Sequence, residues 1–255
     1  MKRALPPDFL KIPLAHRALH DATKGRPENS RAAVIAAVDA GYGIEIDLQQ
    51  SADGKAMVFH DYDLSRLSQA QGDVHSFSAE QLSQMPLRGA NEGIPQLPEI
   101  LRLVDGRVPL LIEIKDQDGS MGNQVGHLEA DVAYALSDYS GPVAVMSFNP
   151  HTVAAMARLC PAVPRGLVTD AYQPGGNGLP ADVRDRLREI PDYARTQSSF
   201  ISHDWRDLER DRVAELKAQG ADILCWTVKS PQEEAQARKI AQNITFEQYL
   251  APFPA

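Results

Sequence analysis

Gly43-Ile44-Glu45-Ile46-Asp47-Leu48-Gln49-Gln50-Ser51-Ala52-Asp53-Gly54-Lys55-Ala56-Met57-Val58-Phe59-His60-Asp61 is the stretch on which the reading of this chain turns. Its first half alternates, so in a strand Glu45 and Asp47 point to one face while Ile44, Ile46 and Leu48 point to the other. Asp53-Gly54 then interrupts two apolar segments, a pattern that predicts a hairpin. With Asp53 and Gly54 at the two central turn positions, Leu48 faces Phe59 and Asp47 faces His60. One hairpin would then gather two carboxylates and an imidazole. The same spacing also suits a solvated surface ribbon, so the rest of the chain has to decide.

Outward from this stretch, strand and helix signals alternate. Ile12 to Ala15 is a short apolar strand ending on His16-Arg17. Arg31 to Ala40 has helical spacing, with Asn29 or Ser30 as its N-cap and Gly41 as its stop. Further helices are expected at 78–82, 99–104, 126–138, 151–159, 181–190, 208–219 and 231–240, with a Gly/Pro-rich loop at 174–178. Leaving the hairpin return aside, strands begin near residues 12, 43, 109, 142, 165, 199, 222 and 243. Pro109 to Ile114 is a continuous apolar run carrying Glu113, as expected of a strand covered on both faces.

Eight strand–helix units in 255 residues predict a single-domain (β/α)8 TIM barrel, with 49–96 inserted between the second strand and its helix. A doubly wound open sheet is the competing architecture, but no glycine-rich dinucleotide fingerprint follows the first strand.

Composition narrows the function. The chain is 43% hydrophobic and 24% charged, with a formal charge of −8, which argues against a nucleic-acid or membrane-surface binder. An anionic substrate then needs a bound cation or local basic residues to offset long-range repulsion. Cys160 and Cys225, far apart and outside any CxxC pattern, read as small buried apolar residues. The N-terminus lacks a signal-like apolar core, and no run is long and apolar enough to span a bilayer, so the expectation is a cytoplasmic protein without stable membrane association.

In a barrel, active sites lie where the strands end, at their C-terminal side. His16 and Arg17 end the first strand, Glu45 and Asp47 lie on the second, and Glu113 and Lys115 on the third. Ser147-Phe148-Asn149 end the fourth and Trp226-Thr227 the seventh. Singly, each reads as a structural residue; the repetition at one end favours a site. Three converging carboxylates repel unless a cation lies between them, and oxygen-only donors favour a hard ion, Mg²⁺ or Ca²⁺. Two histidines beside it, with Arg17 and Lys115 for a phosphate, suit metal-assisted cleavage of a phosphate ester.

His16-Arg17, Pro27-Glu28-Asn29-Ser30, Glu45-Ile46-Asp47, Asp53-Gly54, His60-Asp61, Glu113-Ile114-Lys115 and Trp226-Thr227-Val228 recur in an order and spacing that resembles the bacterial glycerophosphodiester phosphodiesterases. The resemblance runs from about residue 12 to 247. It implies hydrolysis of a glycerophosphodiester, a small-molecule substrate, to glycerol 3-phosphate and an alcohol. By matching position, Glu45, Asp47 and Glu113 would hold the divalent cation, and His16 and His60 would be the acid/base pair. Arg17 and Lys115 would hold phosphate oxygens, and Phe148 and Trp226 would wall the alcohol; Asn29 would hydrogen-bond near the metal and Glu28 anchor its loop.

The chain departs from that pattern at Ala18 (for glycine), Gln49-Gln50-Ser51, Lys229 (for asparagine) and Thr245-Phe246-Glu247 (for Thr-Asp). His20-Asp21 and His203-Asp204 are further polar pairs at the same face, either lining the pocket or making loop-stabilising hydrogen bonds. A lipid-directed phosphodiesterase of the lysophospholipase D or sphingomyelinase D kind is the nearest alternative. A non-catalytic phosphate-ester binder is the other.

Overall fold

The computed structural model describes residues 2–173 and 178–254. Eight parallel strands close into a barrel: β1 (Leu14–Ala15), β2 (Gly43–Gln50), β4 (Leu110–Ile114), β5 (Val143–Ser147), β6 (Arg165–Thr169), β7 (Phe200–Asp204), β8 (Asp222–Val228) and β9 (Asn243–Phe246). Closure runs through β1, which pairs with β2 on one side and β9 on the other. The ninth strand, β3 (Ala56–Val58), is antiparallel to β2 and outside the barrel count. The open-sheet alternative is thereby excluded, and every predicted strand start falls within two residues of the observed one.

The helices α2 (Arg31–Ala40), α4 (Leu97–Val104), α5 (His127–Leu136), α6 (Pro150–Leu159), α7 (Ala181–Arg188), α8 (Asp211–Ala218) and α9 (Pro231–Ala237) cover the strands. Between β3 and α4 lies the short helix α3 (Ala79–Gln84), capped at both ends of its first turn by a Ser78–Gln81 capping box. Of the two cap candidates for α2, Ser30 is the one used: its hydroxyl accepts from Ala33 N at 3.1 Å, and Gly41 closes the helix at φ +76°. In α4, Leu97, Ile100, Leu101 and Val104 recur at helical spacing and are buried against the outward side chains of β2 and β4. Each such side chain contributes about 1.5–3 kcal/mol of burial.

Alternation sorts each strand between two cores. Ile44, Ile46, Leu48, Leu110, Ile112 and Ile114 face the helices, while Leu14, Leu111, Ala144, Phe200 and Leu224 fill the barrel. A short N-terminal helix, α1 (Asp8–Lys11), pushes the fully buried Phe9 into the lower mouth, and Asn243 Nδ2 donates to Phe9 O at 2.8 Å. Sequence analysis assigns no element to this prolyl segment. Proline at 6 and 7 in fact suits the start of a helical turn, with Phe9 N and Leu10 N donating to Pro6 O and Pro7 O at 3.0 Å each.

The hairpin register differs from the expectation by one residue. Leu48 pairs with Val58, Gln49 with Met57 and Gln50 with Ala56, so Phe59, not His60, stands opposite Asp47. The cause is the turn: Ser51 N donates to Lys55 O at 3.0 Å and Ser51 Oγ accepts from Lys55 N at 2.8 Å, closing a five-residue loop at 51–55 instead of a two-residue turn. Within that loop Ala52 and Asp53 are the central residues of a turn closed by Gly54 N donating to Ser51 O at 3.0 Å, one position earlier than expected, and Asp53 Oδ1 also accepts from Ala79 N at 2.8 Å. The inserted segment carries its own small core of Met57, Phe59, Leu64, Val74, Leu82, Leu87 and Ile94. Residues 174–177 of the expected Gly/Pro-rich loop lie outside the described residues. No described helix is long and apolar enough to cross a membrane.

Candidate active site

The register of β2 and β4 creates the centre of the site. Asp47 stands opposite Glu113 on adjacent parallel strands, and Glu45 lies one pleat lower on the same inward face of β2. Glu45, Asp47 and Glu113 are all buried, and each can present an oxygen within 4.8 Å of the others. Two cations sit against them. Lys115 Nζ lies 2.7 Å from Asp47 Oδ1 and 2.7 Å from Glu113 Oε1, while Arg17 Nε lies 3.5 Å from Asp47 Oδ2. Arg17 N donates to Glu45 Oε2 at 3.0 Å.

Three carboxylates against two cations leave the cluster short of positive charge. The shortage falls on Glu45: burial, then the Asp47 and Glu113 charges, push its carboxyl well above the usual range. Asp47 moves the other way; burial opposes its ionisation, but Lys115, His60, Arg17 and His16 hold it well below the usual range. An all-oxygen set that is one positive charge short fits a hard divalent cation, and no cysteine belongs to it.

The asparagine of the 27–30 turn braces this cluster. Asn29 has φ +58°, a left-handed conformation asparagine tolerates, and its Nδ2 donates to Asp47 Oδ2 at 2.9 Å. Glu28 faces away and holds Arg17 Nη1 at 2.6 Å, as expected of a loop anchor. Ala18, the glycine departure, sits at φ +64°, a conformation that costs a non-glycine residue about 1 kcal/mol.

His16, Arg17, Glu45, His60, Glu113 and Lys115 line one cavity of about 110 Å³ at the upper mouth. Phe148 and Trp226 form its apolar wall, edge to face with centroids 5.6 Å apart, and Trp226 Nε1 donates to Ser202 O at 3.0 Å. All the proposed site residues but Asp47 line this cavity, and Asp47 lies behind it, 2.7 Å from Lys115 Nζ. His60 arrives despite the register difference because Gln49 Nε2, on β2, donates to His60 O at 2.9 Å. The polar Gln49 departure thus has a structural use. His20-Asp21 and His203-Asp204 do not line this cavity. His203 is fully buried between Thr169 Oγ1 at 2.7 Å and Asp207 Oδ2 at 3.2 Å, and His20 and Asp21 line a neighbouring cavity of about 640 Å³.

Sequence reasoning left three residues without a part. Asp61 Oδ1 lies 2.6 Å from His60 Nδ1, and Arg66 grips Asp61 through Nε at 2.5 Å and Nη2 at 2.9 Å. The same guanidinium donates to both oxygens of Glu28 at 2.8 Å. A continuous line of polar contacts thus runs from His60 through Asp61, Arg66, Glu28 and Arg17 to Asp47. At the other histidine, His16 Nδ1 lies 2.7 Å from Glu247 Oε2. Adjacency flagged Asp61 and departure from the family pattern flagged Glu247; Arg66 gave no signal beyond being charged.

The chain matches the model of the glycerophosphoryl diester phosphodiesterase family over residues 16–244. A glycerophosphodiester phosphodiesterase of Caldanaerobacter subterraneus subsp. tengcongensis is 29% identical over 225 residues, covering 84% of each chain. One of Bacillus subtilis is 25% identical over 207 residues, 73% of this chain and 67% of that protein. Among solved structures, an Oleispira antarctica phosphodiesterase in complex with the product sn-glycerol-3-phosphate superposes with a TM-score of 0.75 at 22% identity, covering 93% of each chain. A Parabacteroides distasonis glycerophosphodiester phosphodiesterase gives 0.70 at 22% identity and 92% of each. With the match reaching from the histidine that ends β1 to the last barrel strand, this chain belongs to the glycerophosphoryl diester phosphodiesterase family.

Proposed function

We propose that the protein hydrolyses glycerophosphodiesters to glycerol 3-phosphate and an alcohol, using a divalent cation and two histidines. The observation that carries this is a cluster of three buried carboxylates within 4.8 Å, two of which, Glu45 and Glu113, line one small cavity with His16 and His60. Glu45, Asp47 and Glu113 would hold the cation, Mg²⁺ or Ca²⁺, which when bound polarises the phosphoryl oxygens and acidifies a nearby hydroxyl.

The chain's own residues supply the rest. Arg17 and Lys115 hold their positive charge and place it where phosphate oxygens would lie. Each histidine has Nδ1 committed to a carboxylate, so Nε2 is the nitrogen left for proton transfer. One takes the proton of the nucleophile, a water or the 2-hydroxyl of the substrate's glycerol, while the other protonates the departing alkoxide. Phe148 and Trp226 exclude water from the carbon side of the cavity. A cavity of about 110 Å³ suits a glycerol phosphate head better than an acyl chain, which favours small diesters over lipids.

The test is turnover of glycerophosphocholine by the purified protein, read as glycerol 3-phosphate released. EDTA should abolish turnover and Mg²⁺ or Ca²⁺ restore it. His16→Ala and His60→Ala should each depress kcat by roughly 10²–10⁴-fold with the thermal melt retained. Indifference to EDTA, near-normal rates in both variants, or preference for lysophosphatidylcholine would defeat the reading.

A further inference from the structure

Both pocket histidines are mounted alike, although their supports come from opposite ends of the chain. His60 Nδ1 meets Asp61, and Asp61 meets a cation, Arg66. His16 Nδ1 meets Glu247 Oε2 at 2.7 Å, and Lys229 Nζ lies 2.7 Å from Glu247 Oε1. Lys229 and Glu247 are two of the positions at which the sequence leaves the pattern it otherwise resembles, and the structure brings them into contact with each other.

We propose that Glu247 is the positioning residue for His16 and that Lys229 holds it in place. The inference rests on the reading of His16 as a proton-transfer group. Backbone pairing builds the arrangement: His16 N donates to Phe246 O at 2.8 Å, and Glu247 N donates to Val228 O at 3.0 Å. The ends of β1, β8 and β9 are thus laced together, and the carboxylate meets the ring at Nδ1. Accepting the Nδ1 proton fixes the tautomer and leaves the Nε2 lone pair toward the cavity. When Nε2 gains a proton from the nucleophile, the ring carries one positive charge beside the ionised Glu247. In the other role, giving a proton to the alkoxide, the ring starts in that charged form and ends neutral, with Nδ1–H unchanged in both. Glu247 is only 12% exposed. His20 Nε2 is the other imidazole near it, at 3.6 Å, and it has no hydrogen-bond partner, so His16 takes the carboxylate.

The experiment compares Glu247→Gln, Glu247→Asp and His16→Ala in the full chain, with ¹⁵N ring NMR of the histidines and metal-supplemented steady-state kinetics. In the wild type, the His16 ring should carry its proton on Nδ1. Glu247→Gln should lose that fixed tautomer and lower kcat by roughly 10–100-fold with KM little changed, and Glu247→Asp should recover part of the loss. A Gln variant with wild-type kcat, an unaltered His16 signal, or an Asp variant as slow as Gln would overturn the proposal while leaving His16 catalytic. A fully active His16→Ala protein would instead overturn the function reading on which it stands.

Discussion

Arg66→Met isolates what the inserted segment does for the site. Arg66 donates four hydrogen bonds at 2.5 to 2.9 Å, two to Asp61 and two to Glu28, from a side chain that is 48% exposed. Fully buried charge-assisted bonds of this kind would each be worth about 1.5–3 kcal/mol, but solvent screening at a half-exposed guanidinium reduces the set to about 1–2 kcal/mol in total. The melting temperature should therefore fall by roughly 2–8 °C. The variant should also lose kcat on glycerophosphocholine by about tenfold, because Asp61 is left to orient His60 without its own anchor.

The pH dependence of that stability gap has a definite sign. Burial opposes ionisation of Asp61 and Glu28, but His60 and Arg66 on the first, and Arg66 and Arg17 on the second, hold both carboxyls below the usual range. A lowered folded pKa contributes stability above the unfolded pKa and loses it as pH falls through the folded value. The wild-type advantage over Arg66→Met should hold near pH 7 and shrink below about pH 4. Urea unfolding at three pH values, with kcat measured on the same samples, checks both parts. A variant that melts lower but turns over normally would refute the link from Arg66 to His60, and a gap that widens in acid would refute the electrostatic account.

Gly166→Ala should destabilise the barrel by about 1–3 kcal/mol, since a β-carbon there would meet the Phe200 ring at 2.4 Å; a thermal melt reads it directly. Phe9→Ala should cost about 3–5 kcal/mol by emptying the lower mouth, while kcat per folded molecule stays near wild type because the catalytic end is opposite; urea unfolding and active-site-normalised kinetics separate the two. Burial pushes the Cys225 thiol up to about 12, so native protein should leave it unmodified by a thiol reagent at pH 8 until denaturation, whereas Cys160, expected to be buried but in fact only half-buried, should react first.

Much of this was legible before any coordinates. The eight strand starts could be read because each buried strand is a short apolar run bounded by proline, glycine or a capping residue, a local signal. Glu45, Asp47 and Glu113 were found for the same reason: a charge inside such a run has to be explained. The hairpin register was not readable, because it depends on Ser51 and Lys55 closing a wider loop and on Asp53 turning to Ala79, 26 residues away. Arg66 was equally hidden, and of Glu247 only its departure from the family pattern showed, not its partner. Each is an ordinary charged residue in sequence, and its partner is fixed only when the insertion folds back or when the last strand meets the first.

The brevity of β1 has a consequence for how this molecule can change. With only Leu14 and Ala15 in the ladder, the upper part of β2 has no barrel neighbour on its β1 side, and β3 occupies the vacancy. The barrel wall therefore has a socket built into its rim, and whatever plugs into it delivers a histidine to the middle of the mouth without disturbing a single barrel pairing. The 51–96 plug carries its own apolar centre, so its interior can vary while the eight-stranded frame and its carboxylates stay as they are.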